Sequence, residues 1–112
     1  KEKYQNLNLN NNILAKKIIK RMEKLNEIII ENNIISIFIT QVKYDGLKDF
    51  DLFVVNEQIK TFAIKNNYNL IALDEIIEMK TGDFYDPNHT TPVGSARIAK
   101  KIYPIIKDYL KN

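Results

Sequence analysis

Cysteine is absent from this 112-residue chain, so a disulfide framework, a thiolate metal site and a cysteine nucleophile are all excluded. Tryptophan is also missing, histidine occurs once, and glycine and proline occur three times each. With His89 as the sole imidazole, a metal site would depend on carboxylates such as Asp74, Glu75, Asp83 and Asp86. Acidic loop residues are ordinarily just solvated, so we expect no metal. No apolar run approaches the roughly 18–20 residues of a membrane span, and the polar start shows no signal-peptide pattern. No glycine-rich loop follows a strand, which argues against a phosphate- or nucleotide-binding domain. We find no internal repeat and no low-complexity linker.

What remains is typical of a folding chain, 45% hydrophobic and 28% charged. The length fits one domain. A net charge of +3 comes from lysines scattered along helical faces rather than from a dense basic block, so nucleic-acid binding is not expected. The first residue is Lys1 rather than methionine, and we expect further polypeptide upstream.

Ala15, Ile18, Ile19, Met22, Leu25 and Ile29 recur at helical spacing between about Asn12 and Asn32, where Asn32-Asn33 offers a stop. Ile34 to Val42 reads as a buried parallel strand. A polar loop from Lys43 to Asp51 follows, with Asp45-Gly46 as its turn. A second helix is expected over Phe53 to Asn66, burying Val55, Ile59, Phe62 and Ala63, and then a strand from Tyr68 to Leu73. Asp74 is expected to cap the short helix after it, within a segment of one helical turn and a loop reaching Phe84. Thr91-Pro92 opens a last helix, Thr as N-cap and Pro at the first helical position. Its buried stripe is Ile98, Ile102, Ile105, Ile106 and Tyr109, with a kink at Pro104. This alternation predicts an α/β fold with a parallel sheet and helices on both faces. Two strands are too few for such a sheet, so further strands are expected from an upstream segment or from a partner chain.

The informative stretch runs from Phe84 to Ala99. Asp86-Pro87-Asn88 favours a turn that brings Asp86 close to His89. A carboxylate so placed can fix the ring tautomer of His89, leaving it to act as a general base near neutral pH. On spacing alone a helix cap or a surface residue is the more ordinary role.

Asp86-Pro-Asn-His89, followed by Thr-Thr-Pro-Val-Gly94 and the small residues Ser95, Ala96 and Ala99, resembles the last block of SGNH (GDSL-like) hydrolases. There an Asp-x-x-His pair precedes a glycine and the terminal helix. The layout from Leu14 to Leu110 is also similar, including the strand ending in Thr40-Gln41, Asn56 near a helix start and the strand ending in Asp74. The resemblance implies a three-layer αβα, flavodoxin-like fold, of which residues 1–112 are the C-terminal portion. It also implies a serine esterase or acyltransferase in which His89 is the base and Asp86 its orienter. The serine nucleophile and the glycine and asparagine of the oxyanion hole would come from an upstream segment, since no Gly-Asp-Ser is present and Gly46 and Gly82 have the wrong context. Ser36, mid-strand, and Ser95, inside a helix, are poor local nucleophiles.

Thr40 and Gln41 either line a substrate pocket or satisfy backbone groups at the strand end. Tyr44, on the loop, is a candidate substrate contact, and Tyr85 either walls the pocket or packs in the core. By analogy with relatives sharing the Thr-Gln strand end, a carbohydrate O-acyl ester is the preferred substrate, and no cofactor is implied. The alternative is a non-catalytic α/β interaction module that retains the Asp-His turn as a cap.

Overall fold

A computed structural model describes residues 9, 12–44 and 49–111. In chain order it contains α1 (Ile13–Glu31), β1 (Ile37–Ile39), α2 (Phe50–Lys65), β2 (Asn69–Ile71), α3 (Leu73–Ile76), a 3-10 turn (Thr81–Asp83) and α4 (Pro92–Tyr109). This is a mixed α/β arrangement whose two strands run parallel, Ile37 opposite Asn69 and Ile39 opposite Ile71.

Each long helix starts on a side chain that accepts an amide hydrogen bond the helix itself cannot satisfy. Asn12 Oδ1 accepts from Ala15 N at 3.0 Å, Asp49 Oδ1 from Leu52 N at 3.0 Å, and the Thr91 hydroxyl from Gly94 N at 3.1 Å. α1 and α2 end by the same device. Asn33 and Asn67 have left-handed backbones (φ 52 and 57), and the amide after each, Ile34 or Tyr68, donates back to Ile29 or Ala63. Asparagine tolerates this conformation better than most residues, so each Asn-Asn pair turns the chain sharply into its strand.

The nine-residue apolar run yields a ladder of only three residues, because β2 offers only Asn69–Ile71 as partner. One further bond, Thr40 N to Ile71 O at 3.1 Å, extends it. Ile34 and Ile35 lie outside the ladder, 49% and 75% exposed, and Ser36 precedes the strand rather than lying within it. β1, expected to be buried, is half-buried throughout, with β2 on one edge only. Phe38 packs edge-on against Phe62 of α2 and stacks on Tyr68, with centroids 5.3 and 5.8 Å away. Strand alternation therefore turns Ile37 and Ile39 to the opposite face.

α2 contacts α1 and both strands, and α4 contacts β2. The start of α2 lies three residues earlier than its pattern suggests, set by Asp49. Its most buried residues are Leu52, Phe53, Val54, Asn56 and Ala63, whereas Val55, Ile59 and Phe62 are half-buried. A helix covered from several directions does not confine its apolar residues to one stripe. In α1, Ala15 and Ile29 are buried, but Ile19 and Leu25 are exposed. The α4 stripe is half-buried, and the helix runs through Pro104 without a break; Tyr109 at its end donates to Leu70 O at 2.7 Å. The Asp45-Gly46 turn lies outside the described residues. Among the described residues no helix is long and apolar enough to cross a membrane.

Candidate active site

Asp86 and His89 meet. His89 Nδ1 stands 2.9 Å from Asp86 Oδ1 and 2.8 Å from Oδ2. The same Oδ1 accepts the amides of Asn88 and His89, both at 2.8 Å, so one carboxylate closes the turn and holds the ring. A carboxylate only accepts, so Nδ1 carries a proton, and in the neutral ring Nε2 presents a bare lone pair. No hydrogen bond from a described residue reaches Nε2, and the His89 and Asp86 side chains are 76% and 51% exposed.

The turn is the tip of a short antiparallel excursion. Phe84 bridges Thr90, and Tyr85 N donates to His89 O at 2.8 Å. At its base, Thr91 N donates to Asp83 O and the Thr91 hydroxyl to Gly82 O, both at 2.8 Å. Gly94 is packed so closely that a Cβ would stand 2.1 Å from Asp83 O. Asp83 is itself buried, accepting from Lys80 N at 2.7 Å and pairing with Arg97, whose other guanidinium nitrogen donates to Glu78 O at 2.7 Å. The entry of α4 is thereby fixed to the segment carrying Asp86.

A second anchor comes from the loop leaving β1. Tyr44 N donates to Pro87 O at 3.4 Å, the Tyr44 ring packs edge-on to Phe84, and its hydroxyl lies 3.3 Å from Thr81 Oγ1. These contacts put the turn on the carboxyl side of the parallel strands, where open α/β sheets bind ligands.

Thr40, 1% exposed, donates from its hydroxyl to Asp74 Oδ1 at 2.6 Å and accepts from Asp74 N at 3.1 Å. Its hydroxyl faces protein, so it serves the strand end. Gln41 is held by its backbone, which exchanges two 2.9 Å bonds with the side chain of buried Asn56, while the residue as a whole is exposed. Tyr85 is 73% exposed, which removes the core-packing option. Asp74 does not cap α3; Ala72 holds that position, and the Asp74 carboxylate is spent on Thr40 and Lys60. Burial pulls the Lys60 ammonium down, but hydrogen bonds to Asp74 and Glu75 outweigh it and hold the group above its ordinary value. Ser95 Oγ lies 2.6 Å from Thr90 Oγ1, and Ser36 Oγ is buried without a partner among the described residues.

The sequence reading missed Asn56 as a clamp on Gln41, Lys60, Asp83 and Arg97. Only Asp83-x-x-Asp86 ahead of the helix hinted at a structured base. Among the described residues no three His, Asp or Glu side chains converge as a metal site.

The Asn88 amide, then the His89 ring and amide, hold the Asp86 carboxyl below its ordinary value. A depressed folded value means that the contribution of the turn to stability is complete above about pH 4 and is lost as pH falls through the depressed value. In an NMR titration the side-chain carboxyl carbon of Asp86 should titrate with a midpoint below the ordinary aspartate value. A midpoint above the ordinary aspartate value would contradict the hydrogen bonding described.

Compared with known proteins, the chain matches no family model, no curated protein and no solved structure.

Proposed function

We propose that this chain supplies the base and its orienting carboxylate to a serine esterase or acyltransferase of the SGNH type, as the C-terminal part of a three-layer αβα domain. The observation that carries the reading is the doubly contacted Asp86–His89 pair, with Nε2 open on the carboxyl side of a parallel sheet. In this reading His89 Nε2 takes the proton from an attacking serine hydroxyl and returns it to the leaving alcohol. Asp86 keeps Nδ1 protonated and stabilises the imidazolium between the two steps. The serine and the oxyanion donors come from an upstream segment or a partner chain that also completes the sheet. Ser95 is already engaged with Thr90, and the Ser36 hydroxyl oxygen is buried ahead of β1. Exposed Gln41, Tyr44 and Tyr85 are the proposed substrate contacts; Thr40 is excluded by burial. The proposed substrate is a small or glycan-borne acyl ester, an O-acetyl carbohydrate in particular.

The assay uses this chain together with its upstream segment and follows hydrolysis of a short-chain aryl ester. His89→Ala should lower turnover by several orders of magnitude, because a triad base acts as a unit with its nucleophile. Thermal unfolding followed by circular dichroism should be unchanged, since the ring is exposed. Full activity in this variant overturns the assignment.

One observation favours a second reading. Asp86 Oδ1 already has a structural task, accepting both turn amides. A non-catalytic interaction module would retain the pair for that task alone, and would show a stable partner and no ester hydrolysis in the same assay.

A further inference from the structure

Lys17, Lys20, Arg21 and Lys24 line one shallow groove on the exposed side of α1, away from buried Ala15 and Ile29. None of the four forms an ion pair with a described residue, although Glu23 and Glu27 follow Lys20 and Lys24 by three positions. Lys17 with Arg21 and Lys20 with Lys24 are like-charge neighbours one turn apart, an arrangement that disfavours the helix unless an anion offsets it. Helical periodicity puts Ile13 and Ile28 on the same outward side, at the two ends of the basic row, and they are 72% and 48% exposed.

We propose that this face of α1 lies flat on an anionic phospholipid surface, its four cations against phosphate head groups and Ile13 and Ile28 entering the boundary with the acyl chains. The charge selects a polyanion. The aliphatic ends of the row select lipid over a nucleic-acid backbone, which offers no acyl phase to receive them, and the lack of any aromatic side chain among these six positions argues against single strands, whose binding surfaces stack bases on rings. Among the described residues α1 meets the rest of the fold chiefly through α2, and none of them covers its opposite face. The inference does not rest on the Asp86–His89 pair.

The test is co-sedimentation of this chain with vesicles of phosphatidylcholine alone or mixed with phosphatidylglycerol. Binding is expected to the mixed vesicles only. Lys20→Ala/Lys24→Ala should weaken it about thirtyfold, at about 1 kcal/mol per surface cation, while leaving α1 intact because alanine is the stronger helix former. Ile13→Ser/Ile28→Ser should remove the part of the binding that survives high salt. Equal binding to neutral vesicles, no binding to the mixed ones, or an unaffected alanine variant overturns the proposal. So does tighter binding to a DNA duplex that ignores the isoleucine substitutions.

Discussion

Replacing Gly94 with alanine is expected to destabilise the protein by about 3 kcal/mol, the upper part of the range for forcing an extra carbon into a packed site. The added Cβ would sit 2.1 Å from the Asp83 carbonyl oxygen and 2.8 Å from its carbon, backbone atoms that cannot rotate away as a side chain end would. Retreat of α4 would break the Thr91 N to Asp83 O bond and strain the Thr91 cap that also holds Gly82 O. For a domain with a total stability of about 5–15 kcal/mol, such a loss is a large fraction. Urea unfolding measures it, with Gly82→Ala as the control, because nothing lies within 4 Å of a Cβ there. An unchanged midpoint for Gly94→Ala would mean that α4 is not seated on Asp83.

Asn56→Ala should be comparably damaging, by about 3 kcal/mol. Asn56 is fully buried, and its amide satisfies both the N–H and the C=O of Gln41. Truncation strands these two backbone groups, each worth about 1–3 kcal/mol when left unpaired away from water, and opens a small cavity besides. Aspartate would not rescue, since a carboxylate accepts from the Gln41 amide but repels its carbonyl. Hydrogen exchange at the Gln41 amide should accelerate along with the fall in unfolding midpoint. Slow exchange at Gln41 in the alanine variant would show that another group takes over. The effect should also spread along the loop to Tyr44, which tethers Pro87.

The elements legible in the sequence are those whose signals are local. α4 announces itself by Thr91-Pro92, and α1 by a one-sided apolar stripe ending at Asn32-Asn33. Asp86 and His89 are readable as a pair because only two residues, one of them a proline, lie between them, too few for tertiary structure to decide their meeting. Strand ends were not readable: Ile34, Ile35 and Val42 are as apolar as Ile37–Ile39, and only the reach of β2 decides which of them pair. The burial of α2 is not readable because Phe53, Val54 and Val55 are all apolar, so the pattern names no inward face. Asn56 with Gln41, Lys60 with Asp74 and Arg97 with Asp83 are matched only once separate elements have docked, and nothing in their local sequence pairs them.

The Phe84–Thr90 bridge bears on the order of assembly. It encloses Asp86 and His89 within a single short loop, whereas the sheet must bring Ile37 to Asn69 across an intervening helix. Small loops close in about 10–100 ns, far faster than non-local parallel strands find their register. The meeting of the carboxylate and the imidazole thus needs only a short closure within one loop, whereas the sheet beside it depends on contacts far apart in the chain.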